Sequence, residues 1–462
     1  MEIDMRQTNT KAVDVISLGC SKNLVDSEQL MQLFAANGYS VLHEPEECRG
    51  NIVVINTCGF INSAKEESID MILKFAEARK TGQIKQLYVM GCLSERYLEE
   101  LQKLIPEVDK FYGKFNWKEL LSDLPHVPSA KQSTITSTEQ SSVIAGLTRN
   151  PLSASPAQTS RLLTTPPHYA YLKISEGCDR ACAFCAIPKI TGKQKSRAIE
   201  ELEEEVKALV KEGVKEFLLI AQDLTSYGTD LYHKQAIAEL VDRLSDIKGV
   251  EWIRLHYAYP NKFPMDLLKV MREKENVCKY LDIALQHSSN EVLERMRRNI
   301  TREETVNLIR QIREEVPGIG LRTTLMVGFP NETTADYADL MRFVEEMRFE
   351  RMGAFMYSHE EGTPAERYVD TVSPELKLQR LDELMDLQAQ IAEEISTEKI
   401  GKTFKVIIDS EEDEFYVGRT EYDSPEVDPE VLVRKTAPLR QGQFYQVKIT
   451  GIQGYDLIGE VI

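Results

Sequence analysis

The chain has 462 residues, of which 42% are hydrophobic and 28% are charged, and its formal net charge is −18. This length exceeds one ordinary core and predicts two to four domains of a globular protein. The acidic balance argues against strong nucleic-acid binding, and no apolar run is long enough to cross a bilayer. The N-terminal residues lack the hydrophobic stretch of a signal peptide, so we expect a cytoplasmic protein without membrane association.

The first region, residues 11–124, alternates short apolar runs with amphipathic stretches. The runs VDVISL, IVVIN and QLYVM predict buried strands. SEQLMQLFAANG and SAKEESIDMILKFAEARKTG have the apolar spacing of helices and end in Gly. Alternation of this kind predicts an N-terminal parallel α/β domain.

Residues 125–167 differ in composition from the segments on both sides. They are rich in Ser, Thr, Pro, Gln and Ala and show no sustained periodicity. Such a composition predicts a flexible linker.

Residues 168–398 resume the alternation with greater regularity. Six candidate strands are YAYLKIS, EFLLIA, WIRLHYA, YLDIAL, LRTTLMVGF and MGAFMYS. Six βα units predict a partial TIM-type barrel that is open on one side. Ser373 and Pro374 are typical of a helix start, and a long helix follows them. The predicted apolar face of this helix consists of Leu378, Leu381, Leu384 and Ile391.

The last region, residues 399–462, contains only strand and turn patterns. Its short apolar runs are TFKVIID, EFYVGRT, EVLVR, QFYQVKITG and DLIGEVI. Five short strands at this spacing predict a small all-β barrel of OB-like type.

Three of the eight cysteines lie together in SEGCDRACAFC, at Cys178, Cys182 and Cys185. They follow the first barrel strand, and TIM-type barrels build their sites at the carboxyl ends of strands. In a reducing compartment, clustered cysteines bind metal or carry out redox chemistry more often than they form disulfides. Thiolates suit iron–sulfur clusters and zinc, but no nearby fourth Cys or His completes a structural zinc site. A cluster held by three cysteines would leave one iron open to a ligand.

Cys20, Cys58 and Cys92 are far apart in the sequence, but each follows a predicted strand of the first region. Because the carboxyl ends of parallel strands share one edge of a sheet, we expect the three thiols to converge. A second iron–sulfur cluster with an open iron would explain this placement, and three unrelated core cysteines are the alternative. Cys48 and Cys278 have no such placement and are predicted to be unligated.

The spacing C-x3-C-x2-C after the first strand of a six-unit barrel resembles the radical S-adenosylmethionine (SAM) superfamily. The resemblance implies that the open iron of a 4Fe–4S cluster binds SAM, and that reduction then yields a 5′-deoxyadenosyl radical. Phe184 matches the aromatic residue that this superfamily places before the third cysteine, near the adenine of the cofactor.

With its second cysteine triad and its small C-terminal barrel, the chain resembles the methylthiotransferases over nearly its whole length except the linker. That family implies two 4Fe–4S clusters and a C-terminal TRAM domain. It also implies two SAM molecules, one that donates methyl to a cluster sulfur and one that supplies the radical. The reaction replaces a C–H bond by C–SCH3, and no residue is assigned as a catalytic acid or base.

The resemblance extends to weaker motifs in the barrel. Gln222 and Asp223 end the second strand in IAQDLTSYG, where they either face polar groups of the cofactor or form an ordinary loop. VGFPNET is similar to a loop near adenine in the family, which implies cofactor contacts at Gly328 and Phe329. Asn331 stands in this loop where relatives have Gly, so a slightly different turn is expected there.

ALQHSS is similar to another family motif, with Ala284 in place of Pro. His287 in this motif is either a cofactor contact or a histidine that only structures its loop. After the cluster loop, Thr191 replaces the Arg of relatives and Arg197 matches them, whereas Lys193 and Lys195 are expected to have surface roles.

Methylthiotransferases act either on tRNA adenosine or on an aspartate of a ribosomal protein. SLGCSKNLVDSE, LHYAYP and EYDSPEVDPEVLV resemble the enzymes that modify the protein. Residues 401–462 carry seven basic and twelve acidic residues, whereas an OB-type module that binds RNA needs a basic groove. An acidic module suits a basic ribosomal protein, although a purely structural cap is the alternative.

The resemblance therefore favours methylthiolation of the β-carbon of an aspartate in the small-subunit ribosomal protein S-twelve. It also implies an electron donor of flavodoxin or ferredoxin type. One alternative is a methylthiotransferase for tRNA adenosine of the isopentenyladenosine type. A second alternative is a non-catalytic iron–sulfur scaffold or electron carrier.

Overall fold

The computed structural model describes residues 9–45, 50–125 and 161–462. It divides into two compact units that meet in sequence between Thr164 and Thr165. Cys48 and most of the predicted linker lie outside the described residues. No helix within the described ranges has both the length and the hydrophobicity of a membrane span.

The first unit is built on a five-stranded parallel sheet with strand order β2-β1-β3-β4-β5. The strands are β1 Asn9–Ser17, β2 Ser40–His43, β3 Gly50–Thr57, β4 Gln86–Gly91 and β5 Lys110–Phe111. The helices are α1 Ser21–Ala36, α2 Asn62–Lys80, α3 Cys92–Leu104 and α4 Trp117–Asp123. The predicted parallel α/β domain is confirmed.

Strand β3 shows why this sheet is parallel and covered on both faces. All eight of its residues are buried. Val53 and Ile55 pack into one apolar cluster with side chains of α2 and α3, whereas Ile52 and Val54 pack into a second cluster with α1. The continuous hydrophobic run of β3 therefore packs against helices on both faces of the sheet, as is usual for central parallel strands.

The second unit begins with a six-stranded parallel sheet of order β13-β12-β11-β10-β9-β6 that does not close on itself. The strands of this unit up to residue 356 are β6 Tyr169–Lys173, β7 Ser175–Glu176, β8 Lys195–Ser196, β9 Glu216–Ile220, β10 Trp252–Ala258, β11 Val277–Gln286, β12 Gly320–Val327 and β13 Arg351–Met356. Its helices are α5 Ile187–Thr191, α6 Ile199–Glu212, α7 Ile237–Ser245, α8 Asp266–Glu273, α9 Asn290–Arg295, α10 Arg302–Glu315, α11 Thr334–Met347 and α12 Pro374–Thr397. The predicted six-unit partial barrel is confirmed, and β7 and β8 form a separate antiparallel pair.

Helix α12 starts where the sequence predicts, because the side chain of Ser373 accepts a hydrogen bond from the amide of Leu376. Its predicted apolar face is partly wrong, since Leu378 is exposed. The buried side chains of α12 are Lys377, Arg380, Leu384, Gln388, Ile391 and Ser396. The helix packs on loops that present carbonyl and carboxylate oxygens, so polar side chains are buried along it.

The chain ends in a closed five-stranded barrel of order β14-β15-β16-β18-β17. Its strands are β14 Thr403–Glu411, β15 Phe415–Thr420, β16 Val431–Arg434, β17 Phe444–Gln453 and β18 Asp456–Val461. Buried hydrophobic side chains from all five strands fill its interior, all of them aliphatic except Tyr416 of β15. The predicted small all-β barrel is confirmed.

The segment between β15 and β16, residues 421–430, covers the amino-terminal ends of the strands of the larger barrel. Five of the six strands bond to it: Tyr169 and Tyr171 to Glu426, Arg254 to the carbonyl of Glu421, Lys279 through its amide to Glu421, Arg322 to Asp428 and Arg351 to Asp423. The opposite, carboxyl-terminal ends of these strands are therefore the ends that this segment leaves accessible.

A buried ion network holds the two barrels of the second unit together. Arg419 of the small barrel lies 2.8 Å from Glu216 and 2.6 Å from Asp409, and Arg254 lies 2.9 Å from Glu216. Burial opposes ionisation of both carboxyl groups, but the neighbouring cations and their hydrogen bonds together outweigh it; these cations are Arg419 and Arg254 at Glu216, and Arg419 and His168 at Asp409. The pKa values of Glu216 and Asp409 consequently lie below their ordinary range.

Replacing Arg419 by Met is expected to lower the free energy of unfolding of the second unit by about 3 kcal/mol, because Glu216 and Asp409 both lose a cation that they contact. The loss is at the low end of the range for a broken buried pair, since Glu216 keeps Arg254. Since both pKa values are depressed, the stabilisation is present above the unfolded-state pKa and is lost as the pH falls through the folded values. Denaturant unfolding at pH 7 and pH 4 measures both effects. Arg434→Met is the control, because exposed Arg434 lies 3.7 Å from Glu460. Equal stability of the two variants at pH 7 would contradict this account.

Candidate functional site

The structure brings the three scattered cysteines of the first unit to one edge of the sheet. In the strand register, Ser17 pairs with Asn56, and Thr57 pairs with Gly91, so β1, β3 and β4 end level with each other. Cys20, Cys58 and Cys92 follow these three ends. The three cysteine-bearing loops therefore share one edge of the sheet.

Two glycines allow the cysteine loops to approach each other closely. A Cβ atom on Gly19 would lie 2.7 Å from Sγ of Cys58, and one on Gly59 would lie 2.6 Å from Cα of Leu93. Both distances are below van der Waals contact. The loops that carry Cys20, Cys58 and Cys92 therefore pack directly against one another, which only glycine permits at these positions.

Hydrogen bonds fix the backbone of these loops. Ser68 accepts from the amide of Cys58 at 3.0 Å and donates to its carbonyl at 2.8 Å. Asn23 donates to the carbonyl of Leu18 at 2.7 Å, and Arg96 donates to that of Gly59 at 2.8 Å. The cysteines are thus held on a preorganised frame.

The electrostatics at this edge favour thiolate once a cation is present. Burial raises the pKa of Cys58 and raises that of Cys92 to about 12, while the nearby Lys114 opposes the rise at Cys92. Cys20 precedes helix α1 and Cys92 begins α3, so two helix N-termini point at the cysteines. A bound metal cation would stabilise the thiolates against this burial.

The contiguous triad lies in the loop that follows β6 and β7, at the carboxyl-terminal end of the larger barrel. Cys178 donates its amide to the carbonyl of Gly192 at 3.1 Å, and the amide of Cys185 donates to the carbonyl of Cys182 at 3.2 Å. Burial raises the pKa of Cys178 to about 11 and that of Cys185 to about 12. Three thiols therefore lie in one short loop that is largely shielded from solvent.

Two arginines and a tyrosine surround Cys182. The guanidinium of Arg298 lies with its Nη1 3.3 Å from Sγ of Cys182, and the hydroxyl of Tyr259 lies 3.8 Å from the same sulfur. Arg298 and Arg180 cover the ring of Tyr259 at 4.0 Å and 4.1 Å from its centroid. The donor set is soft and anionic, and cations surround it.

Several buried polar atoms near the same strand ends have no hydrogen-bond partner among the described residues. They are Oγ of Ser175, Oε1 of Gln222 and Oε1 of Gln286. An unsatisfied buried polar atom costs free energy, so such atoms indicate a missing polar ligand. Gln286 also has a φ of +74°, a strained conformation for a residue other than Gly. Three thiols beside these atoms fit an iron–sulfur cluster and a polar cofactor.

The structure brings Phe184 and Phe329 together. Phe329 is fully buried in an apolar cluster with Ala183 and Met296, and Phe184 packs against that cluster with part of its surface exposed. The two aromatic residues singled out from the sequence therefore belong to one apolar wall beside the cysteine loop.

The loop that contains Gly328 is held by one buried carboxylate. Glu332 accepts hydrogen bonds from the amides of Gly328 and Phe329 at 2.8 Å and 3.3 Å, and pairs with Arg380 of α12 at 2.7 Å. Asn331 has a φ of +62°. Its left-handed backbone is the conformation that Gly favours and that Asn tolerates, so the backbone at this position does not require the slightly different turn that the substitution predicts.

Gln222 and Asp223 differ in what they contact. Gln222 donates to Glu176 and leaves its Oε1 unpartnered, so it can still accept from a ligand. Asp223 accepts from the amide of Thr225 at 2.9 Å and pairs with Arg180 at 2.7 Å. The side chain of Asp223 thus positions Arg180 and the loop that follows β9.

His287 structures its loop through one ring nitrogen, while its other ring nitrogen, Nε2, is buried and has no hydrogen-bond partner among the described residues. It is fully buried, and its Nδ1 accepts from the amide of Ser289 at 3.0 Å. Its proton is then on Nε2, which lies 3.5 Å from Glu332. Lys193 and Lys195 are exposed, and Arg197 forms ion pairs with Glu201 and Glu205 at 2.7 Å each.

Cys278 is fully buried beside Trp252 and Tyr280, away from both triads in sequence and in its contacts. In residues 9–45, 50–125 and 161–462, no group of three His, Cys, Asp or Glu side chains is arranged for a single metal ion. A cluster differs from a single ion, because its iron and sulfide atoms lie between the ligating sulfurs and separate them.

Sequence reasoning missed three residues of these sites: Arg298, Tyr259 and Lys114. Arg298 and Tyr259 are 116 and 77 positions away from Cys182. Lys114 is almost fully buried and lies 3.5 Å from Asp26. No local pattern marks Arg298 or Lys114, whereas Tyr259 lies in the LHYAYP motif, which by itself assigns it no contact with a cysteine. Arg180, by contrast, lies inside the C-x3-C motif and was available to sequence reasoning.

Three known families match successive parts of the chain. Residues 12–113 match the Uncharacterized protein family UPF0004, residues 172–344 the Radical SAM superfamily, and residues 400–462 the TRAM domain. These matches correspond to the first unit, the larger barrel and the closed small barrel.

Two curated relatives align over almost the full length. The ribosomal protein uS12 methylthiotransferase RimO of Parabacteroides distasonis is 58% identical, with 97% of this chain and 99% of the relative covered. The protein of the same name from Bacteroides thetaiotaomicron is 57% identical, with 98% of each chain covered.

Among solved structures, the radical SAM methyltransferase TsrM from Kitasatospora setae has a similar fold. The TM-score is 0.54 at 13% identity, and 77% of this chain and 74% of that chain are covered. At this identity the likeness concerns the fold alone.

Proposed function

Because the chain belongs to the family of ribosomal protein uS12 methylthiotransferases and is a radical SAM enzyme, we propose that its own substrate is an aspartate of uS12, the small-subunit protein S-twelve. The enzyme would replace a hydrogen on the aspartate β-carbon by a methylthio group. Each product would require two SAM molecules, and the enzyme would hold two 4Fe–4S clusters. A reductant of flavodoxin or ferredoxin type would supply the electrons.

The observation that carries this proposal is the presence of two separate three-cysteine sites in one chain. Cys178, Cys182 and Cys185 share one loop of the larger barrel, while the loops of the other triad pack directly on each other through Gly19 and Gly59. An electron carrier or scaffold needs neither an open iron in each cluster nor a barrel with unpartnered polar atoms at its mouth.

We assign the first cluster to Cys178, Cys182 and Cys185, and the second to Cys20, Cys58 and Cys92. When bound, the barrel cluster and SAM supply the one-electron chemistry that removes a hydrogen atom, and the second cluster supplies the sulfur. These six residues hold the metal groups as thiolates. No acid or base is assigned, since removal of a hydrogen atom needs none at that step.

The remaining barrel residues bind and orient SAM in this proposal. Phe184, which is partly exposed, provides an apolar surface for the adenine, with the fully buried Phe329 packed in the cluster behind it and the backbone of Gly328 next to Phe329. Oε1 of Gln222 accepts from a donor of the cofactor, which would satisfy an atom that otherwise has no partner. Asp223 contributes through Arg180, whose guanidinium it fixes.

The surface of the small barrel supports a basic protein substrate over RNA. Asp409, Asp423 and Asp428 pair with arginines within the second unit and therefore do not contribute to a free acidic surface. The turn at residues 411–414 carries four exposed acidic side chains. Acidic surface of this kind attracts a basic ribosomal protein and repels a phosphate backbone. A ribosomal substrate and the lack of disulfide bonds among the described cysteines both support a cytoplasmic location.

Anaerobically reconstituted enzyme, given dithionite and SAM, is expected to add a methylthio group to the aspartate peptide of uS12 and to leave tRNA nucleosides unchanged. Offering both substrates in parallel, with mass spectrometry of tryptic peptides and of nucleosides, decides between them. Reactions without SAM are the control. A methylthio group on adenosine alone would place the enzyme on the tRNA side of the family, and absence of SAM cleavage would favour the electron carrier.

A further inference from the structure

Arg298 is a buried cation beside the barrel triad, and its contacts are unusual for such a residue. Its side chain is 3% exposed. Nη1 is 3.3 Å from Sγ of Cys182, Nη2 donates to the carbonyl of Ala284, and Nε has no partner. Within the described ranges, no carboxylate forms an ion pair with it.

Other buried arginines of the second unit all have a carboxylate partner. Arg254 pairs with Glu216 at 2.9 Å, Arg351 with Asp423 at 2.6 Å and Arg380 with Glu332 at 2.7 Å. A buried charge without a counter-charge is costly. The thiol of Cys182, 3.3 Å from Nη1, is the cysteine group in contact with Arg298, so the counter-charge of Arg298 belongs to the cysteine site.

The ring of Tyr259 holds this guanidinium in place. Arg298 stacks on one side at 4.0 Å from the ring centroid, and the hydroxyl of Tyr259 donates to the backbone carbonyl of Arg298 at 2.9 Å. Arg180 also stacks on this ring but is neutralised by Asp223 at 2.7 Å. Of the two cations, only Arg298 leaves its charge uncompensated toward Cys182.

We propose that Arg298 is a positioning residue that raises the reduction potential of the barrel cluster, through an N–H···S hydrogen bond to Cys182 and a fixed positive charge. The inference rests on the proposed cluster at Cys178, Cys182 and Cys185. On reduction, the cluster gains one electron from the external reductant and becomes more negative by one charge. Hydrogen bonds to ligand sulfurs and nearby cations stabilise that reduced form.

The test uses the full-length chain with Cys20, Cys58 and Cys92 replaced by Ala, so that only the barrel cluster is observed. Arg298→Gln removes the charge, whereas Arg298→Lys keeps the charge but loses the planar guanidinium group. Arg297→Gln is the matched control, because Arg297 is an exposed neighbour. Dithionite titrations followed by electron paramagnetic resonance give the midpoint potential, and iron analysis gives the cluster content.

At the potential that half-reduces the parent, the ratio of reduced to oxidised cluster is expected to fall about tenfold in Arg298→Gln, equivalent to about 59 mV for one electron. This ratio is expected to fall less in Arg298→Lys and to remain unchanged in Arg297→Gln.

An unchanged midpoint potential in Arg298→Gln with full iron content would overturn the role of Arg298. If Arg298→Gln assembles no cluster, the midpoint of Arg298→Lys decides, and an unchanged value there also overturns it. Failure of the parent to hold any cluster would refute the proposed site itself.

Discussion

Replacing Cys182 by Ala is expected to abolish reductive cleavage of SAM while leaving the cluster of the first unit assembled. Cys182 is 8% exposed and is the cysteine that Arg298 and Tyr259 contact, so its sulfur lies inside the proposed cluster site. With two sulfurs remaining, the barrel cluster loses one of its three protein ligands. The measurements are 5′-deoxyadenosine formed per enzyme under dithionite, and iron bound per chain.

We expect 5′-deoxyadenosine to fall to the level of the enzyme-free reaction and bound iron to fall by about half, because each triad is proposed to hold one cluster. Cys278→Ala is the matched control. It removes a buried thiol that packs beside Trp252 and Tyr280 and belongs to neither triad, so both quantities should stay near the wild-type values. SAM cleavage that persists in Cys182→Ala would refute the assignment of the radical site.

Replacing Cys58 by Ala is expected to have the opposite effect, sparing SAM cleavage and stopping transfer of the methylthio group. Cys58 lies on the central strand end between the other two cysteine loops, with Gly19 packed against its sulfur. Its loss removes a ligand from the cluster that is proposed to supply sulfur. The barrel site does not depend on it and should continue to produce 5′-deoxyadenosine.

The outcome is measured as methylthio-aspartate in uS12 peptides alongside 5′-deoxyadenosine from the same reaction. Cys20→Ala and Cys92→Ala should behave as Cys58→Ala does, because residues that act as one unit fail together. Cys278→Ala again serves as the control and should form product. Retained product in Cys58→Ala would show that the second cluster is misassigned.

The two triads differ in how far sequence alone could predict them. Cys178, Cys182 and Cys185 are close in the chain, so their loop is readable from spacing. The other three required a topological argument, namely that parallel strands bring their carboxyl ends to one edge. The register of β1, β3 and β4 supports that argument, because those strands end level.

The acidic count of residues 401–462 was a poor guide to the surface charge of the small barrel. The count of acids in the last region included Asp409, Asp423 and Asp428, which the structure pairs with arginines inside the second unit. A count cannot distinguish a solvent-exposed carboxylate from one that is buried in an ion pair. Of the four exposed acids at residues 411–414, Glu411 pairs with Lys435 at 2.7 Å, which leaves Glu412, Asp413 and Glu414 as exposed acids on this turn.

The sequence by itself determined the three successive folds and the location of the cysteine loop, because periodicity and short spacing are local properties of a chain. Only the tertiary structure decided the surroundings of that loop. Arg298 reaches Cys182 across 116 positions, and α12 buries Lys377 and Arg380 where leucines were expected. Such contacts depend on how distant segments pack, and no local pattern encodes them.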